Sequence, residues 1–554
     1  MFFQISRIHP LFPLFKKGLK VGSHVYNTKI PVKVPNRTLT SKSLVREVND
    51  IITSLKNLKF IQSTSTLKYL DDNELKNIPR KQGIFQLQNN DDVVKLIKFA
   101  RRNGAIVRVM GAGHSVQEAI YSQNDNHINV TLGGELRKIH SMDEIGHVSV
   151  GAGCNLGIDP NNEESTLENS FNFQVDQKGY ALPILGGISH QTIGGFLQTS
   201  TAGGSLKHTI ADSLEEIEFI NGKGEIVTLN KRKDEEMFNA SVVSMGLFGI
   251  ITRANFNLTK NYLVEGTETN HLFEQSVLVN EGGHYKKLLE ALENTEYFHL
   301  NWFPQPNVKR TIEWRGKQVA SGTIQEYNHP LKERGKSIML AIIIGGISNF
   351  LKIDEYDETA KAIIGELLDQ FIPVIYQLDD PIFRDKWYKI LPNDDQADTA
   401  HLIKTSFTEM WFPLDKIDET MKILEKLFNE HPSYIGNFAV ELYGAKKSPF
   451  WMSPSYGHHV FRVDSLWWAH NIGNPREFFE KYWEVLLPIS GARLHWGKYK
   501  PEPGKMYGKH AFGIEYLRSR YPRLDDWLKI REEMDPDQIF VNDYWRKLFN
   551  IESK

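Results

Sequence analysis

The chain has 554 residues, 40% of them hydrophobic, with 31 Phe, 20 Tyr and 11 Trp, more than one core takes, which predicts two domains and a terminal extension. A formal net charge of −2 points away from nucleic acid as a partner. The single cysteine, Cys154, excludes an intramolecular disulfide framework or a cysteine-rich metal site, and it fits a reducing compartment.

The first 46 residues carry nine Lys or Arg and no Asp or Glu. Three readings stand for this basic extension, assigned to residues 1–75: a mitochondrial-type targeting segment, a folded basic arm, or a segment that meets acidic headgroups. Pro10, Pro13, Pro31 and Pro35 interrupt any single amphipathic helix. No run reaches the roughly 18 apolar residues of a spanning helix. The expected location is intracellular, cytoplasmic or membrane-associated, with mitochondrial delivery left open.

Asn90 and Asp91 are good caps for a helix with Val93, Val94, Ile97 and Ala100 on one face. Gly104 ends it, and residues 105–109 read as a short buried strand. That strand empties into Met110-Gly111-Ala112-Gly113-His114-Ser115-Val116-Gln117. Bare glycines let backbone N–H groups approach a ligand, and successive free amides form a concave nest that suits a pyrophosphate. The loop has neither the Walker spacing nor Gly-x-Gly-x-x-Gly, so alone it also reads as a plain turn.

Two further runs change the balance. Residues 182–212 hold Gly186-Gly187, Thr192, Gly194-Gly195, Thr199, Thr201 and Gly203-Gly204, a density of hydroxyls and bare amides that can clasp a polar ligand. Residues 244–252 pass through Gly246 and Gly249 into a β-branched strand with Ile250 and Ile251, and alone read as a tight turn before a core strand. Between these runs, 215–219 and 225–229 flank the Asn221-Gly222 turn as a hairpin. The pattern is α+β, without internal repeat.

From about Lys260 the texture changes to longer helices and aromatic-rich strands. Residues 295–314 read as a strand pair around Asn301-Trp302-Phe303-Pro304. Ile417, Met421, Leu424, Leu427 and Phe428 have helical spacing. An alternating strand at 438–443 could aim Glu441 into a pocket. Leu524, Trp527, Leu528 and Arg531 mark a last amphipathic helix. The apolar run 337–351 is too short to span a bilayer; it reads as a core element or as an interfacial membrane contact.

Gly111-Ala112-Gly113-His114-Ser115, Leu185-Gly186-Gly187-Ile188 with Thr192-Ile193-Gly194-Gly195, the run from Gly246 to Thr252, His495-Trp496-Gly497-Lys498, and Tyr521-Pro522 through Asp535-Pro536 occur in one order. In these motifs the chain resembles the flavin-linked oxidases of the vanillyl-alcohol-oxidase type, within them the aldonolactone oxidases (gulonolactone, galactonolactone and arabinonolactone oxidases, with alditol oxidases nearby). The resemblance runs from about Ile84 to the C-terminus, with a poorly matching segment between. It implies an α+β fold with a two-lobed PCMH-type FAD-binding domain (76–260). A second α+β substrate, or cap, domain (261–510) follows, carrying the insert 337–351, and a C-terminal segment (511–554) returns to the FAD domain.

The resemblance also implies a function: an FAD-dependent oxidase that takes a hydride from a CH–OH carbon of a small sugar-derived lactone or polyol and passes electrons to O2, giving hydrogen peroxide. FAD would be held by Met110, Gly111, Ala112, Gly113, His114, Ser115, Gln117, Gly133, Gly186, Thr192, Gly194, Gly195, Thr199, Thr201, Ile250, Ile251 and Lys498. His114 would be joined covalently to the flavin 8α-methyl group, and Lys498 would face the N1–C2 edge, where negative charge develops. Gly133 would leave oxygen a path to the flavin. Glu441 would orient or deprotonate the substrate hydroxyl. Relatives show Glu-x-Arg there, whereas this chain has Tyr443 in place of the guanidinium. Arg462 stands as a substitute or as a surface ion pair. The alternatives are turnover of a lipid-linked or sterol alcohol at a membrane, favoured by the apolar insert and the lost arginine, and a non-catalytic flavoprotein. No metal is implied.

Overall fold

Helix 90–103 starts one residue earlier than expected, because Asn89 rather than Asn90 turns its side chain back onto the chain and accepts the Asp92 amide at 3.0 Å. Gly104 closes it in the left-handed conformation, φ 60°. The computed structural model to which these elements belong describes residues 75–554 apart from 76, 82, 123, 125, 307, 328–364, 367, 370–371, 374–381, 393–404, 437 and 469–472. The basic N-terminal extension and the apolar run 337–351 lie outside the described residues.

Val93, Leu96, Ile97 and Ala100 of this helix are buried with Phe85, Val107 and Val130 in one apolar cluster. Those three belong to a small sheet of β1 (Arg80–Lys81), β2 (Ile84–Leu87), β3 (Ile106–Val109) and β4 (His127–Leu132), in the order β1-β2-β4-β3. β2, β4 and β3 run parallel, which requires a crossover, and the helix supplies it. A second sheet is antiparallel, ordered β5-β6-β10-β8-β9, from β5 (Ile139–Met142), β6 (His147–Gly151), β8 (Leu214–Asn221), β9 (Ile226–Asn230) and β10 (Gly249–Asn257). The predicted hairpin is β8–β9; Asn221 Oδ1 accepts the amides of Lys223 and Glu225, and Gly224 takes φ 77°. β7 (Tyr180–Ala181) pairs with β11 (Thr259–Lys260).

The remaining large sheet has eight antiparallel strands: β12 (Leu263–Leu272), β13 (Tyr297–Phe303), β14 (Arg310–Val319), β15 (Ile382–Lys386), β16 (Thr405–Pro413), β17 (Val440–Ala445), β18 (Val460–Trp468) and β19 (Arg493–Leu494). Their order is β15-β12-β14-β13-β17-β18-β16-β19. β13 runs on through Phe303, so the turn expected around Asn301–Pro304 falls later: Asn301 is held in the ladder between Ile312 and Glu441. Helices Lys286–Asn294, Ile417–Glu430 and Pro475–Leu486 pack on this sheet, with Trp302 against Phe428 and Trp467 against Phe478. Side chains alternate across a strand, so the residues between these are left for the opposite face. There Asn301, Glu441, Asp464 and Glu409 form one cross-strand row, and Trp314, His299, Tyr443, Arg462 and Trp411 the next.

Helix Leu524–Met534 is followed by another, Asp543–Phe549, which the sequence reading missed. Trp527 Nε1 donates to Ala240 O, Trp545 Nε1 to Ala119 O, and the Val107 amide to Ile539 O. Among the described residues no helix is long and apolar enough to cross a membrane.

Candidate active site

The three glycine-rich runs meet. A Cβ on Gly111 would come within 2.5 Å of Thr192 Oγ1, so the first loop lies against the start of the second because it has no side chain there. Thr192 caps helix 193–198 and accepts the Gly195 amide at 3.2 Å. Gln198 at the far end of that helix joins the second run to the third: its Oε1 accepts the Gly246 amide at 2.6 Å and the Ser244 hydroxyl at 3.0 Å. Thr199 Oγ1 donates to Gly195 O, and Thr201 Oγ1 accepts from Gln191 Nε2. A Cβ on Gly186 would meet Thr201 Cγ2 at 2.5 Å. Ile250 and Ile251 are buried in β10 and contribute apolar wall. Gln117 opens the short helix 117–120, and the Met110 amide donates to Val130 O. His114 is exposed at the lip, its ring centroid 5.1 Å from that of buried His190.

The 495–498 turn docks on this first loop. The Val116 amide donates to Gly497 O at 2.8 Å, and a Cβ at Gly497 would lie 2.8 Å from Ser115 Oγ. His495 Nδ1 accepts the Gly497 amide at 3.1 Å. Burial, with Lys498 and Arg462 adding to it against Glu409, lowers the His495 pKa to about 3, so the ring is neutral at pH 7. Lys498 extends over the Phe407 ring at 4.4 Å, and its charge bears on Glu409 and Asp464. The turn that docks on the cofactor loop through Gly497 thus also carries the lysine whose charge reaches the carboxylates of the large sheet.

On that face Glu441 is largely buried, its side chain 12% exposed, with Oε2 3.9 Å from His299 Nε2. Burial, then the Arg462 charge, lower His299 to about 3. Arg462 is not a surface residue, nor is its terminal fork open for a substrate. Nη1 donates to Ala202 O at 2.7 Å, Nη2 to Tyr443 Oη at 2.6 Å and to Glu409. Its plane lies over the rings of Tyr443 and Trp411, at 3.9 and 4.4 Å. Tyr443 Oη in turn donates to Asp464 Oδ2 at 2.6 Å. Burial alone would push the Glu409 carboxyl up, but Arg462, His495 and Lys498 hold it below its ordinary value. Burial and then the Glu409 charge raise Asp464 well above its own.

The second glycine run reaches this face directly. The Phe298 amide donates to Gly204 O at 2.8 Å, and a Cβ on Gly204 would lie 2.3 Å from Phe298 O. A small pocket opens at this junction, walled by Ile184, Leu185, Phe298, Trp314 and Leu391, with Tyr297, His299 and Tyr443 as polar lining. At Gly133 a Cβ would lie 2.7 Å from Gln88 Nε2, the end of a side chain that packs beside the glycine.

These surroundings fit FAD. The three runs leave close backbone approach where a polar ligand would lie, and Gln191 Oε1 and Gln198 Nε2 between them are buried without a hydrogen-bond partner among the described residues. Sequence reasoning missed Gln191 and Gln198, which sit inside a run already singled out. It also missed Glu409, Asp464 and His299, whose only signal is strand alternation.

Residues 81–230 match the FAD binding domain family, and residues 279–548 the D-arabinono-1,4-lactone oxidase family. The chain is 29% identical to D-arabinono-1,4-lactone oxidase of Eremothecium gossypii over 245 residues, 43% of this chain and 41% of that one. It is 22% identical to L-gulonolactone oxidase of Bos taurus over 476 residues, 84% and 94% of the two chains. Among solved structures, cholesterol oxidase of B. sterolicum shares the fold with a TM-score of 0.64 at 13% identity, covering 84% of this chain and 94% of that one. With its flavin-binding match N-terminal to its lactone-oxidase match, and the glycine cradle docked on the large sheet, the chain belongs to the FAD-linked oxidases with a PCMH-type FAD-binding domain, in the aldonolactone oxidase branch.

Proposed function

We propose that the protein oxidises a CH–OH carbon of a small sugar-derived lactone or polyol, with Glu441 and Lys498 as its working side chains and His114 as the covalent anchor of FAD. The observation that carries this reading is the docking of the 495–498 turn on the Gly113–Val116 loop, which sets Lys498 between the cradle and the carboxylates of the large sheet. When bound, FAD accepts a hydride from the substrate carbon and passes the electrons to O2, giving H2O2. Glu441 accepts the substrate hydroxyl proton at its carboxylate. Neutral His299, 3.9 Å away, does not compete with that carboxylate for the proton. The Lys498 ammonium steadies negative charge near the cradle. Gly111 to Gly113 offer backbone amides, and Thr192 a hydroxyl, to a pyrophosphate.

A second reading, an alcohol with an apolar body, is favoured by the aromatic and aliphatic walls of the cavity and by the commitment of Arg462 to other partners. One preparation tests the scheme. Acid-precipitated protein keeps its yellow colour, while His114→Ala releases flavin into the supernatant with the fold intact. Peroxide release across a panel of lactones, alditols and apolar alcohols then separates the two readings. A colourless polypeptide that takes up no added FAD would overturn both.

A further inference from the structure

The turn that carries Lys498 is built around a second lysine. Lys500 is 4% exposed. Its ammonium donates to the carbonyl oxygens of Trp496 at 2.6 Å, Lys498 at 3.0 Å and His495 at 3.3 Å. The fourth carbonyl of the turn, that of Gly497, accepts the Val116 amide of the cofactor loop. All four consecutive carbonyls of the motif are therefore used, three by one internal cation and one by the cradle.

Aromatic rings surround the same ammonium: Tyr544 at 5.7 Å, and Trp496 and Trp545 at 6.0 Å, within the range where a ring face attracts a cation. Tyr544 and Trp545 belong to helix 543–549 and Arg476 to helix 475–486. Arg476 Nη1 donates to the Lys500 carbonyl at 2.9 Å and pairs with Glu118 and Glu502 at 3.6 and 3.0 Å. Lys500 is thus a point donor at the convergence of three carbonyls, the arrangement a bound cation gives a loop. Burial, then Arg476, push its amine down to about 7, with Glu118 acting the other way.

We propose that Lys500 is a positioning residue, whose ammonium gathers the 495–498 carbonyls inward and thereby fixes where the Lys498 side chain emerges against the cofactor loop. This rests on the reading of Lys498 as the cation beside the flavin. A methionine at 500 fills the space without donating. An arginine keeps the charge, but its planar fork does not reach three carbonyls that converge on one point.

The test is sulfite binding to the flavin-loaded full chain at pH 6, where the amine is charged. Sulfite adds to oxidised flavin as an anion, and a cation held near the ring strengthens that adduct. Lys498→Met, Lys500→Met and Lys500→Arg are each expected to weaken sulfite binding by about tenfold or more, the scale of one charge-assisted interaction. Urea midpoints run alongside, because a purely structural lysine would lower the midpoint and leave sulfite affinity unchanged. If Lys500→Met does not fold, Lys500→Arg carries the measurement. Parental sulfite affinity in a folded Lys500 variant, with Lys498→Met weakened, overturns the positioning role alone. Parental affinity in Lys498→Met overturns the reading of Lys498 and with it this inference.

Discussion

Arg462 is the side chain whose removal the structure prices most clearly. Its guanidinium and the Glu409 carboxylate are 3% and 5% exposed, and they face each other across paired strands. In Arg462→Met the stem between Trp411 and Tyr443 is kept, but Glu409 becomes a buried carboxylate without its cation and Ala202 O loses its donor. Stranding one partner of a buried pair costs about 3–5 kcal/mol. For a domain of this size that is a fall in the thermal midpoint of roughly 10 °C. Glu409→Gln alone costs less, because Asp464, 3.7 Å from the same guanidinium and freed of the Glu409 charge, takes over as its partner. In Arg462→Met/Glu409→Gln neither charge is left, so the double variant recovers about 2 kcal/mol or more of the summed single losses. Urea unfolding followed by tryptophan fluorescence reads the cycle. Losses that simply add, or an Arg462→Met midpoint within about 0.5 kcal/mol of the parent as for a surface pair, would refute the reasoning.

His299 and His495 titrate near 3 in the folded protein against about 6.5 in an unfolded chain. On acidification the unfolded chain takes up those protons first, so stability falls as the pH drops below about 6.5 and levels off near 3. Each ring contributes up to about 1.4 kcal/mol per pH unit in that window. His299→Gln should show a shallower fall in urea midpoint between pH 6 and pH 4, and a slope equal to the parent's counts against the assignment. Gly204→Ala places a methyl group 2.3 Å from Phe298 O. It should cost about 1–3 kcal/mol and loosen the second run from the large sheet; a urea midpoint equal to the parent's would contradict that.

What could be read in the sequence was whatever depends on near neighbours. The first helix, its glycine stop, the β8–β9 hairpin and the helical spacing from Ile417 to Phe428 are local patterns, and they fold as such. The cradle motifs are short runs of small residues, legible because nothing else needs bare backbone so often. The polar rows on the large sheet were not legible. Glu409 meets Asp464, and Tyr443 meets Arg462, only through register between strands that the sequence separates. Arg462 therefore left a surface ion pair open, and burial between two rings closes that option. The neighbour of Gly133, Gln88, was hidden for a similar reason, since it comes from another segment.

The cradle leans on chain made much later. Arg108 at the end of β3 donates to Phe540 O, 432 residues on, and also to Ala119 O and Met245 O, so a single buried guanidinium staples together an early strand, the third glycine run and the tail. During synthesis the early half waits with that staple open while the whole cap is still being made. A chain that stops short of Phe540 lacks the carbonyl that closes the staple, so the strand that feeds the first glycine run loses that tie to the tail.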